Sequence, residues 1–118
     1  MHYLILMIVI LLGFTSTSYA KVVEYKLNVN EQKVNISGKE ATALTLNNSI
    51  PGPTLKAKVG DTLRIEVTNN LDIDTSIHWH GVLVPNNIDG VPYVNGPPIK
   101  AGETFTYEFP IKHSGTYW

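Results

Sequence analysis

The sequence predicts an all-β Greek-key sandwich. Helical periodicity is hard to find in it. Strand signals recur roughly every ten residues with turn chemistry between them. Two stretches alternate cleanly between apolar and polar residues.

The expected strands run in order along the chain. Residues 22–29 (VVEYKLNV) come first, then 33–38 (KVNISG) and 41–48 (ATALTLNN). Residues 50–54 (IPGPT) interrupt the pattern, because two prolines cannot sit in a paired central strand. Residues 54–59 (TLKAKV) lead into a Gly60-Asp61 turn. In residues 62–69 (TLRIEVTN), Leu63, Ile65 and Val67 point to one face, while Thr62, Arg64, Glu66 and Thr68 point to the other. That is the signature of a half-buried antiparallel strand. Residues 104–109 (TFTYEF) repeat it, with Phe105, Tyr107 and Phe109 inward and Thr104, Thr106 and Glu108 outward. Between these two strands, residues 84–103 are rich in Pro, Gly and Asn and read as an ordered loop or a string of turns.

Composition narrows the chemistry. Nine Lys and Arg face ten Asp and Glu, a formal net charge of −1, which argues against a nucleic-acid partner. The absence of cysteine excludes disulfides, zinc ribbons, iron–sulfur clusters and thiol catalysis. Residues 1–20 stand apart from the rest. Leu4 to Phe14 is almost wholly apolar, and a short polar stretch ends on Ser18-Tyr19-Ala20, a small-x-small cleavage pattern. This reads as a secretory signal peptide, since an apolar run of about eleven residues falls short of the ~20 needed to cross a bilayer. The general secretion route is expected, because there is no twin-arginine pair. Cleavage would leave residues 21–118 as one small domain with no membrane attachment.

Residues 76–81 read SIHWHG. In a strand, residues i and i+2 share a face, so His78 and His80 project together while Trp79 projects into the core. Two such imidazoles lie about 7 Å apart, from a rise of ~3.3 Å per residue. That spacing suits two ions ~3.5–4 Å apart better than one shared ion. Imidazole suits copper, zinc, iron and nickel. The alternative is that both histidines are ordinary surface or hydrogen-bonded groups.

Downstream context adds to the pair. The segments PGPTLKAKVGDTLRIEVTNNL, TSIHWHG, DGVP, PPIKAGETFTYEF and SGTYW, in this order, resemble the first cupredoxin-like domain of multicopper oxidases. The nearest flavour is the bacterial copper-resistance oxidases and their laccase-like relatives. The resemblance covers about residues 43–118. It implies that His78 binds the type 2 copper and His80 one of the type 3 pair of a trinuclear cluster. It also implies that Asp89, in the D-G step, lies behind the ligands and assists proton delivery during reduction of O₂ to water. Asp-Gly is equally a common turn pair, so Asp89 also fits a purely loop-shaping role. Gly90, Pro92, Pro98 and Gly102 read as architectural, Arg64 as a solvated strand residue, and His113 as a surface histidine outside the ligand set.

The sequence departs from the family in length. In relatives GTYW runs into a second H-x-H, and later domains supply the remaining histidines and the cysteine of a type 1 site. The expectation is therefore an incomplete N-terminal cupredoxin-like domain over residues 21–118, lacking its C-terminal strand or strands. In the intact parent, a reducing substrate (a metal ion or a phenol) would give up electrons and O₂ would accept them. Alone, the chain is expected to be inactive as an oxidase. The alternative function is a copper-binding module in copper tolerance without catalysis. Secretion, into a periplasm if the source is bacterial, is implied by the signal peptide and the resemblance.

Overall fold

The structure, a computed structural model, describes residues 20–118. The signal-peptide segment expected over residues 1–20 lies, except for Ala20, outside the described residues. Four strands are present: β1 (Val22–Val34), β2 (Ala41–Leu46), β3 (Thr62–Asn69) and β4 (Thr104–Pro110). They form one open sheet in the order β2-β1-β3-β4. β1 pairs with β2 and β4 with β3 in antiparallel fashion, whereas β1 and β3 run parallel. Among the described residues the only helix is one 3₁₀ turn at Asn86–Ile88. The all-β expectation holds.

The expected strands at 22–29 and 33–38 are one strand. The polar run Asn30-Glu31-Gln32 does not end β1, because β1 changes partner there. Val22 to Val29 pair with β3, and Val29 to Val34 pair with β2. Each half keeps its backbone groups in a ladder, so no turn is needed.

Residues 54–59 are not a strand. Here a side chain replaces the ladder. The Lys56 N–H donates to the Tyr25 hydroxyl at 2.8 Å, and that hydroxyl donates to the Lys56 carbonyl at 2.9 Å. The turn that follows is held by Asp61, whose carboxylate accepts from the Lys58 N–H at 2.9 Å and the Lys21 N–H at 3.4 Å. The Lys58 N–H is the main reason the Asp61 carboxyl titrates below its ordinary value, with Lys21 adding to the effect against the opposing cost of burial.

The alternation in β3 and β4 lies as expected. Leu63, Ile65, Val67, Tyr107 and Phe109 are buried on the inner face, joined by Leu27 and Val29 of β1. The irregular stretch between β3 and β4 covers this face with Leu71, Trp79 and Ile99. Asn69 fastens that stretch. It is fully buried, its amide donates to the Ile73 carbonyl at 2.8 Å and the Ile99 carbonyl at 3.0 Å, and its side-chain oxygen accepts from the Leu71 N–H at 3.0 Å. A backbone bridge between Thr75 and Ile99 closes the same region.

The outer face is polar. Arg64 sits in register between Glu24 and Glu108, bonded to each at 2.6 Å, and Lys26 meets Glu66 at 2.8 Å. These pairs are solvent-exposed, so water screens them and they add little to stability.

Candidate metal centre

The SIHWHG segment is not a regular strand. After the bridge at Thr75 the backbone from Ser76 to Trp79 lies outside any strand ladder, and a turn begins at His80. The alternation survives because burial of one side chain enforces it. Trp79 is 8 % exposed and packs edge to face on Tyr107 and against Phe109, with ring centroids 5.2 and 5.3 Å away. The Ile77 N–H donates to the Tyr107 hydroxyl at 3.2 Å, which ties the segment to β4 one residue before His78. Burial raises the Tyr107 hydroxyl above its ordinary pKa, so it stays protonated here. With Trp79 pinned inward, both neighbouring histidines face out. Their ring centroids lie 5.8 Å apart with planes tilted by 36°.

The segment turns away at Gly81, whose φ of +81° suits glycine and whose Cα side lies against the Tyr117 ring. His113, expected at the surface, is half-buried. Its ring meets Tyr117 edge to face at 5.3 Å, and its Nδ1 is buried without a hydrogen-bond partner among the described residues.

The D-G loop lies behind His78. The His78 Nδ1 is 2.7 Å from the Asp89 backbone carbonyl, a geometry in which Nδ1–H donates and Nε2 is left free for an ion. The Asp89 carboxylate is also close, with Oδ1 3.6 Å from the same ring nitrogen. Gly90 makes this approach possible. It has φ +82°, and a Cβ added there would overlap the Ile77 carbonyl oxygen and crowd the His78 Cα. The sequence suggested a turn for this glycine; its stronger requirement is close packing against the histidine segment.

Of the sequence-predicted residues, His78 lies beside both His80 and Asp89, and His113 is in contact with Tyr117. Asn95 was not anticipated. Its amide donates to Asp89 Oδ2 at 2.9 Å and its side-chain oxygen accepts from the Val91 N–H at 3.1 Å. An asparagine in a Pro/Gly-rich stretch reads as an ordinary turn residue, and the only clue was its place four residues beyond Val91.

Two imidazoles with one ring oriented by a carbonyl fit copper as a partial donor set. Among the described residues no group of three or more His, Cys, Asp or Glu could hold an ion. Any cluster of several ions would therefore take further ligands from outside these residues.

Comparison with known proteins agrees with the fold. Residues 28–118 match the family model described as multicopper oxidase. The chain is 42 % identical over 106 residues to copper resistance protein A of Pseudomonas syringae pv. tomato, covering 90 % of this chain and 17 % of that protein. It is 45 % identical over 95 residues to copper resistance protein A of Escherichia coli, covering 80 % and 16 %. The crystal structure of the multicopper oxidase from Pseudomonas thermotolerans superposes with a TM-score of 0.79 at 36 % identity, over 85 % of this chain and 25 % of that one. The chain thus spans about one sixth of the length of the curated relatives it matches. The cupredoxin-like sheet, the paired imidazoles and the match over residues 28–118 lead to one conclusion: the chain belongs to the multicopper oxidase family.

Proposed function

We propose that this chain supplies His78 and His80 as two ligands of the trinuclear copper cluster of a secreted multicopper oxidase, His78 to the type 2 copper and His80 to one of the type 3 pair. The observation that supports this most is the bond from His78 Nδ1 to the Asp89 carbonyl at 2.7 Å, which leaves Nε2 as the ligating nitrogen. When bound, copper supplies the one-electron chemistry by which a reducing substrate, a metal ion or a phenol, is oxidised at the expense of O₂.

The chain's own residues prepare that site. Trp79 holds both imidazoles outward by burying its indole against Tyr107 and Phe109. The Asp89 carbonyl fixes the His78 tautomer. On this reading Asp89 is the proton relay, a role supported by its carboxylate being 29 % exposed with Oδ1 3.6 Å from His78 Nδ1, while Oδ2 accepts from Asn95. Export follows from the reading of residues 1–20 as a signal peptide. Among the described residues no helix is long and apolar enough to cross a membrane.

A second reading is copper binding in copper tolerance without catalysis. It is favoured by the two-donor set among the described residues and by the names of the relatives, both copper resistance protein A.

Titration of the metal-free chain with Cu(II), followed by electron paramagnetic resonance, tests the shared step. Nitrogen hyperfine structure is expected in the wild type, with binding lost in His78→Ala/His80→Ala. Equal binding by the double variant would defeat both readings. Oxygen consumption with Cu(I) or a phenol, assayed on the copper-loaded protein, separates them.

A further inference from the structure

We infer that Asn95 is a positioning residue for the candidate metal centre: its side chain locks the loop that presents the Asp89 carbonyl to His78 and thereby sets which nitrogen of His78 is free to ligate. The inference rests on the reading of His78 as a ligand, but its test does not use copper.

The geometry has three parts. The Asn95 amide donates to Asp89 Oδ2 at 2.9 Å, which fixes the carboxylate. The Asn95 side-chain oxygen accepts from the Val91 N–H at 3.1 Å, while its backbone N–H donates to the Val91 carbonyl at 3.2 Å. One residue therefore closes the loop from both its side chain and its backbone. Tyr93 N–H adds a bond to the Gly96 carbonyl at 2.9 Å, with Tyr93 at φ +63°, a conformation that costs energy for a non-glycine residue and persists where the surroundings enforce it. Between Asp89 and Val91, Gly90 packs directly on the Ile77 and His78 backbone. A shift of the Asp89–Val91 backbone is thus transmitted to the carbonyl that holds His78 Nδ1.

His80 provides an internal control. Among the described residues it has no hydrogen-bond partner, so the loop does not orient its ring. Loosening the loop should change His78 and leave His80 as it was.

The test is long-range ¹H–¹⁵N NMR of the metal-free chain at a pH well above the ordinary imidazole range of ~6.5, where neutral tautomers are read directly. In the wild type His78 should show one tautomer, with Nδ1 protonated. Asn95→Ala removes both side-chain bonds and should give averaged His78 nitrogen shifts, a mixed population. Asn95→Asp keeps an acceptor for the Val91 N–H but sets two carboxylates face to face, and it should also lose the single tautomer. The His80 pattern and the backbone amide fingerprint of β1 to β4 should be unchanged in both.

A single His78 tautomer retained in both variants would overturn the inference. Loss of the sheet fingerprint in both would overturn it too, because Asn95 would then act on the fold and not on the ring. A His78 tautomer that responds as expected in a chain that takes up no Cu(II) would sink the copper reading and leave this one standing.

Discussion

Trp79 meets Tyr107 edge to face, with ring centroids 5.2 Å apart and planes at 79°. Tyr107 in turn packs edgewise on Phe105 at 4.7 Å, so the indole rests on the aromatic residues that line one face of β4. Edge-to-face pairs of this kind contribute about 0.5–1.5 kcal/mol beyond the area they bury. Trp79→Ala is expected to destabilise the chain by about 3–5 kcal/mol, the usual range for emptying a buried Trp site. Urea denaturation monitored by circular dichroism measures it. A loss under 1 kcal/mol would mean that the indole is not what holds the histidine segment down.

Gly90→Ala should be unusually damaging for so small a change. The methyl has no room beside the Ile77 carbonyl, and the +82° φ disfavours any side chain. A loss of roughly 2 kcal/mol or more is expected, above the 1–3 kcal/mol scale of backbone strain at its lower end. Gly102→Ala is the matching control: it shares a positive φ, but nothing lies within 4 Å of its added Cβ. Comparing the two melting midpoints separates strain from collision.

Asn69→Ala should cost about 3 kcal/mol, because it leaves the Leu71 N–H and the Ile73 carbonyl without a partner in a buried site, while the Ile99 carbonyl keeps only its bond from the Thr75 N–H. The effect reaches beyond stability. Hydrogen exchange at Thr75 and Ile99, which bond each other across the bridge, should accelerate in the variant while the centre of β3 stays protected.

Acid should weaken the fold through Asp61. Its folded pKa lies below the ordinary value of 3.8, so its contribution is fully present above that value. It is lost as pH falls through the lower, folded pKa. Denaturation midpoints should therefore decline below about pH 4, and Asp61→Asn should flatten that decline while lowering stability at pH 7. An unchanged slope in the variant would assign the acid sensitivity to other carboxylates.

The sheet was legible where chemistry alternates. Leu63, Ile65 and Val67 against Arg64 and Glu66 left a single workable orientation for β3, and Phe105, Tyr107 and Phe109 did the same for β4. The length of β1 was not legible. Its polar middle resembles a turn until β2 and β3 are seen to share it. The histidine pair was legible in outcome but not in cause. Both rings face outward as the spacing suggested, yet the segment is held by Trp79 and the Ile77–Tyr107 bond in place of a strand ladder. Asn69 and Asn95 were invisible, since one amide looks like another until its carbonyl partners are fixed in space.

The parallel pairing of β1 with β3 has a consequence for biogenesis. Val22 lies opposite Thr62, so the centre of the sheet closes only after a long stretch of intervening chain is available. The indole between the two imidazoles rests on residues of β4, which emerges from a ribosome after the other three described strands. A nascent polypeptide halted before residue 104 would already contain both histidines yet have no platform to aim them. Orientation of the two imidazoles is in this way coupled to formation of β4.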